Sequence, residues 1–412
     1  MRLESLVEGV QLAVDQLRAN KFRSVLTILG VVVGVATVMA MSAVITGIRT
    51  SVLEGIAAAG PKNFIVSRFD FNDVQIVNDG SRPAWADNTA PSVLEARRIA
   101  ELSNVASAIV NLNLSVDAAV GSQRVNSINV SGSDVGWRNY TLGQMVAGQD
   151  FLPADVRASR AVAVLSKPLA DMLFGPLDPI GRTVRLNGHP FRVTGLYEVE
   201  GNIFASANKH FAIVPYTTAL KHLGANDRWL ELLVVTADHA TQAETMDQVI
   251  TLLRTSRGLR AADPNNFALI RQEEMVSTFN RLTGIFFIVM IALSSVGLMV
   301  GGIGVIGIMT IAVTERTREI GIRKAVGATR GEILWQFLVE SATVTLIGGA
   351  IGMLLGGGVA IIVAAATPIP ASVPVWAVAA ALVMAALAGV VFGLWPAWRA
   401  ARMDPVVALR FE

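Results

Sequence analysis

The chain of 412 residues contains no cysteine. Disulfides, thiol nucleophiles and cysteine-ligated metal sites are therefore excluded, and any domain outside a membrane must hold together by its own core. Charge is scarce as well. Asp, Glu, Lys and Arg make up 16% of residues, against roughly 25% in soluble proteins, whereas 52% of residues are hydrophobic. The net charge of +2 is too small to draw in a nucleic acid. His189, His210, His222 and His239 are far apart, and no pair has the i, i+4 spacing of a helical metal site. There is no G-x-x-x-x-G-K-[ST] loop to cradle ATP phosphates and no G-x-S-x-G nucleophile elbow. No catalytic, cofactor or metal residue is expected. Phe69, Phe71 and Trp85 lie in a polar stretch, where scattered aromatics fit a partner contact and an ordinary surface alike.

What the chain has instead is long uncharged runs. Residues 24–48 carry no charge, and about 25 residues suffice to cross the hydrocarbon core. Residues 282–314 are 33 uncharged positions, more than a span needs, so this helix is expected to project beyond the bilayer. Residues 333–366 and 375–396 complete four spans, joined by a short external loop at 367–374 that Pro368, Pro370 and Pro374 break. The basic clusters at Arg18, Lys21 and Arg23, at 316–330, and at Arg399, Arg402 and Arg410 all fall on one side of this scheme, which places both termini in the cytoplasm. The expected architecture is an integral membrane α-helical protein of the cytoplasmic (inner) membrane, multi-pass, with a large α+β extracytoplasmic domain at 49–281. Only 23 residues precede the first span. Residues 1–23 read as a cytoplasmic amphipathic helix, suited to a membrane surface or to a partner, and 397–412 as a cytoplasmic tail.

In 49–281 the composition turns to Gly, Asn, Asp, Ser and Pro. A helix is expected at 92–103 and another at 240–254. Strands are expected at Asn63–Arg68, within 109–131 on both sides of Gly121-Ser122, at Ala161–Leu165, Thr183–Leu186, Phe191–Tyr197 and 230–236. Asn187-Gly188 is a hairpin signal and Asp178-Pro179 a turn. In the membrane part, Gly30 and Gly34, then Gly297 and Gly301, then Gly348, Gly352 and Gly356 form small-residue faces for close helix packing. Glu340, about two turns after Glu332, is expected at the interface and solvated. The spans otherwise lack internal charge, which disfavours an ion-coupled carrier or a polar conduit.

The densest charge lies in Glu315-Arg316-Thr317-Arg318-Glu319-Ile320-Gly321-Ile322-Arg323-Lys324-Ala325-Val326-Gly327, within a cytoplasmic segment at 315–332. Glu319 precedes Arg323 by four residues, the favourable order for a helical pair. Ile322, Ala325 and Val326 share a face by spacing. Gly327 suits a left-handed cap, and Thr329-Arg330-Gly331-Glu332 reads as a capping box opening the next helix. On the residues alone this segment fits an ordinary positive-inside loop as well as a docking helix.

Gly301 through Ile306 and Thr314 through Ala328 resemble the signature of MacB/FtsX-type ABC transporter permeases. Ala163-Val164-Leu165-Ser166, Asp178-Pro179-Ile180-Gly181, Phe191-Arg192-Val193-Thr194-Gly195 and Ile213-Val214-Pro215-Tyr216 are similar to the MacB-type outer domain, and Asp404 through Arg410 to the family's C-terminal end. The resemblance implies an outer domain of two subdomains, one inserted at about 105–225. It implies that 315–327 is a coupling helix docking on an ATPase, with Glu315, Arg316, Arg318, Glu319, Ile322, Arg323, Lys324 and Val326 as the coupling residues. Within these, Glu319–Arg323 would stabilise the helix while Arg316, Arg318 and Lys324 stay free for contacts. ATP and Mg would be bound by a separate ABC ATPase subunit, and the chain itself would be a non-catalytic membrane subunit. The other implied partners are a second permease copy (homo- or heterodimer), a periplasmic adaptor and an outer-membrane channel. The implied function is mechanotransmission: ATP hydrolysis moves the outer domain to export a peptide, lipid-linked or hydrophobic substrate. Lipoprotein release and FtsX-like regulation of a cell-wall hydrolase are the alternatives.

Overall fold

A computed structural model describes residues 21–70, 85–199, 209–367 and 371–409. The amphipathic helix expected at 1–23 lies almost wholly outside the described residues, as does Phe71. Along the chain run α1 (Lys21–Ala58), β1 (Phe64–Ser67), α2 (Val93–Ala100), β2 (Val105–Val120), β3 (Gln123–Ser133), β4 (Gln144–Gly148), α3 (Pro153–Arg157), β5 (Val162–Ser166), α4 (Lys167–Phe174), β6 (Thr183–Leu186), β7 (His189–Glu198), β8 (Phe211–Pro215), α5 (Tyr216–His222), β9 (Glu231–Thr236), α6 (Gln242–Ser256), β10 (Ala268–Arg271), α7 (Gln272–Glu315), α8 (Thr317–Ala325), α9 (Arg330–Ala366), α10 (Val375–Ala401) and α11 (Pro405–Leu409). Two compact units result: residues 1–49 with 282–412, and residues 50–281. Helices α1, α7, α9 and α10 are long and apolar enough to cross a membrane.

The unit at 50–281 is built on one sheet in the order β10-β1-β9-β2-β3-β8-β5-β7-β4, with β6 pairing β2 and β7. Strands from the two flanks of the region (β1, β9, β10) fill one end and those from the middle the other. The 16-residue β2 joins them, pairing β9 through its first half and β3 through its second. One continuous sheet thus runs through the region for which the resemblance implied two subdomains. Local chemistry sets the turns. Asn187 and Gly188 both take positive φ, +47° and +82°, which matches the twist of the β6–β7 hairpin.

Helices α2 and α6 each open on a full capping box, Ser92 with Glu95 and Thr241 with Glu244. Glu95 does a second job, because the Arg257 guanidinium donates to both its oxygens at 2.7 and 3.1 Å. Burial alone would raise the Glu95 carboxyl. The bonds from Arg257 and Ser92 and the Arg257 charge outweigh it and hold the group below the usual carboxylate value. The core under the sheet is apolar, with Phe64, Ile99, Leu112, Ile128, Phe191, Leu232 and Leu253 fully enclosed. This is how a region without disulfides holds itself together.

In the membrane unit glycine decides which helices touch. A Cβ placed on Gly30 of α1 would fall 2.5 Å from Gly301 Cα of α7, and one on Gly297 would fall 3.0 Å from Gly34 Cα. The backbones approach until Ser294 Oγ donates to the Gly34 carbonyl oxygen at 2.9 Å. The opposite side of α1 meets α9: a Cβ on Gly352 would lie 2.8 Å from the Val32 carbonyl oxygen, and one on Gly356 would lie 2.7 Å from that of Ala36. Gly348 closes on Val31. Helix α10 presents Ala377, Ala381, Ala385 and Ala388, all buried, and its Gly389 and Gly393 fit against Thr345 and Ser341 of α9.

Gly301→Ala therefore puts a methyl into the α1 backbone and is expected to destabilise the membrane unit by about 1–3 kcal/mol. Gly357→Ala, whose Cβ meets nothing within 4 Å, serves as the neutral control. Thermal unfolding of the full chain in detergent checks the difference.

Candidate functional site: the charged helix between two spans

The charged segment is divided differently from its sequence pattern. Glu315 closes α7, Arg316 stands between the helices, and α8 begins at Thr317. The Thr317 hydroxyl donates back to the Thr314 and Val313 carbonyls at 2.8 and 3.1 Å, which turns the chain out of α7. At the other end Gly327 takes φ +110°. The Gly327 N–H reaches the Lys324 carbonyl and the Ala328 N–H that of Arg323, a Schellman closure that a left-handed glycine permits. Thr329 and Glu332 then form the reciprocal cap of α9.

Thr317, Ile320 and Gly321 form the buried side of α8. Ile320 enters a cluster with Val305, Met309 and Val313 of α7, Ile333 and Phe337 of α9, and Ala397, Ala400 and Ala401 of α10. One short helix is thereby seated on the ends of three long ones. The apolar residues expected to share a face do so, but that face points outward: Ile322 is 49% exposed and Val326 is 85% exposed. Val406 and Val407 of α11, which packs on α8, are exposed as well.

The polar residues divide in the same way. Glu319 and Arg323 pair at 2.8 Å, and Arg323 also donates to Gln336 Oε1 at 2.6 Å. Arg316 and Lys324, expected to be free for contacts, are engaged. Arg316 reaches Glu340 Oε1 at 3.3 Å. Lys324 Nζ donates to the Ala401 and Met403 carbonyl oxygens at 2.7 and 2.6 Å, just where α10 ends and its carbonyls have no helical partner. Burial pushes the Lys324 ammonium below its ordinary value, the Arg330 charge adds to this, and Asp404 opposes it. Glu340, expected at the solvated interface, is fully buried. Its partner lies 24 residues earlier in the chain, so no local pattern reveals the pair. A carboxylate two turns inside an apolar span was the available signal. Arg318 stays exposed on the outer side.

Elsewhere, Phe69 and Trp85 stack at 4.9 Å between ring centroids, with Trp229 against Phe69 at 6.1 Å. His189 and His222, distant in sequence, bring their rings to 5.9 Å. No group of three or more metal-ligating side chains forms among the described residues.

The family model for the MacB-like periplasmic core domain matches residues 24–252, more than half of the chain. The chain belongs to the MacB/FtsX-type permease family. The model for the FtsX-like permease C-terminal region matches residues 284–405 of this MacB-like permease. The uncharacterized ABC transporter permease YknZ of Bacillus subtilis (strain 168) is 31% identical over 99% of this chain and 100% of its own. The macrolide export ATP-binding/permease protein MacB of Azoarcus sp. (strain BH72) is 36% identical over 100% of this chain, which spans 60% of that relative's length. The crystal structure of the periplasmic region of MacB from Actinobacillus actinomycetemcomitans covers 56% of this chain and 97% of its own, at 20% identity and a TM-score of 0.46. This MacB-like permease is thus an ABC transporter membrane subunit by kinship, and α8 lies inside the stretch matched to the FtsX-like region.

Ile320→Ala removes the plug under α8 and is expected to cost about 2–5 kcal/mol. Amide hydrogens of 317–326 should exchange faster in the variant, as read by mass spectrometry of the full chain in detergent.

Proposed function

We propose that this permease is the membrane subunit of an exporter whose ATPase sits on a separate polypeptide and docks on the outward face of α8. The observation that carries the reading is the exposed pair Ile322 and Val326 on a helix whose other sides are fastened down. Isolated exposed apolar residues are ordinary. Two together, rimmed by Arg318 and Glu319 on a seated helix, have the form of the apolar core and polar rim of an interface. The match to YknZ over its full length, a relative whose name mentions only a permease, supports an ATPase on another chain. ATP and Mg belong to that subunit, and this chain performs no chemistry.

In this reading α8 and both termini face the cytoplasm, and a second permease copy completes the complex. ATP-driven movement of α8 passes through the membrane helices to the outer domain. Helices α1 and α7, of 38 and 44 residues, are each longer than a span needs, which suits transmission of movement. A crevice of about 200 Å³ lies between α7, the start of α8, α10 and α11. It is smaller than the roughly 300–1,000 Å³ of a small-molecule site, and in this reading the work is done on the outside. There the domain handles a peptide, lipid-linked or hydrophobic substrate, with an adaptor and an outer-membrane channel as its further partners.

Ile322→Asp with Val326→Asp should lower capture of a P-loop ATPase by the tagged chain at least about tenfold, the loss of about 1.4 kcal/mol or more of contact energy. Mild-detergent pull-down from native membranes, with equal amounts of the chain loaded, is the measurement. Unchanged capture would remove α8 as the docking element.

A further inference from the structure

Glu340 lies within an apolar helix and has no exposure to solvent. One oxygen, Oε1, faces Arg316 at 3.3 Å. The other, Oε2, has no hydrogen-bond partner. Such a pair is a poor device for stability, because apolar residues of similar volume serve as well or better. It is a good device for holding one arrangement, since any other leaves a buried charge alone. Its position matters. Arg316 is the first residue before α8, and Glu340 belongs to α9. At the far end of α8, Arg323 is bonded to Gln336 of α9, and Lys324 to the Ala401 and Met403 carbonyls at and just past the end of α10.

We propose that Glu340 is a positioning residue of this permease: its ion pair with Arg316 ties α8 to α9, so that a displacement received on the outer face of α8 carries α9 with it. This rests on the reading of α8 as the helix that docks an ATPase. It divides the charged segment into two jobs. Arg318, Ile322 and Val326 hold the partner, and Arg316 with Glu340 passes on its movement. Docking and transmission should then be separable by mutation.

The test uses the full chain, tagged and extracted with the ATPase it captures, in three forms: wild type, Glu340→Gln and Glu340→Asp. The absence of native cysteine permits a second readout. Spin labels at Arg318→Cys and Trp335→Cys, both exposed, report the distance from α8 to α9 by pulsed electron resonance in a separate preparation of the full chain without the ATPase, because Arg318 belongs to the docking face. Glu340→Gln keeps the shape and loses the charge. It should leave ATPase capture within twofold, lower ATP hydrolysis per captured ATPase at least about tenfold, and broaden the label distance at least about twofold. Glu340→Asp keeps the charge and should recover at least a third of the hydrolysis and the narrow distance. The proposal is overturned if Glu340→Gln hydrolyses like wild type or keeps the wild-type distance width. It is equally overturned if Glu340→Gln loses capture along with hydrolysis, or if the Asp variant behaves like the Gln variant. If wild type captures no ATPase, the docking reading fails and the transmission role falls with it, whatever the label distances show.

Discussion

Helices in hydrocarbon gain almost nothing by hiding apolar side chains from one another, because the lipid is as apolar as leucine. They hold together where their backbones come close. In this chain that constraint is met by Gly30 and Gly34 against Gly297 and Gly301 on one side of α1, and by Gly348, Gly352 and Gly356 on the other. Helix α1 is thus held between α7 and α9 at near-contact distance. A side chain at Gly30, Gly34, Gly297 or Gly301 would push α1 and α7 apart and strain the hydrogen bond from Ser294 to the Gly34 carbonyl. The position of α8 depends on this packing, because Ile320 is seated among the ends of α7, α9 and α10.

The charged helix is therefore part of the membrane unit's own core, joined to it by one apolar plug and by ties from Arg316, Arg323 and Lys324. Its buried side is committed to the protein and its outer side is not. This separation gives a surface helix that can bear on a partner without peeling away from the bundle. The unit at 50–281 solves a different problem. Outside the hydrocarbon it can rely on burial, and it does so with a ten-stranded sheet over an apolar core, fastened at one corner by the buried Glu95–Arg257 pair.

Much of this was legible in the residues wherever the physics is local. The hairpin turn at Asn187-Gly188, the reciprocal cap at Thr329 and Glu332, the left-handed Gly327 and the Glu319–Arg323 pair each depend on neighbours within a few positions, and each is found in the structure. The glycine faces were legible as faces, but spacing alone does not say that one side of α1 takes α7 and the other takes α9. What failed depended on distant partners. Arg316 and Lys324 looked free because their partners, Glu340 and the carbonyls of Ala401 and Met403, lie far along the chain. Ile322 and Val326 were correctly grouped, yet periodicity does not tell an inward face from an outward one. Ile320, two residues before Ile322, is the residue that goes in.

The central claim is that the outer face of α8 meets an ATPase. The most direct measurement places a photo-activated crosslinking amino acid at Val326, exposed by 85%, in the full chain in living cells. The crosslinked product is then identified by mass spectrometry. The account predicts a single dominant adduct to a P-loop ATPase subunit. An adduct only to lipid, to a second copy of this chain or to a protein on the outer side of the membrane would contradict it.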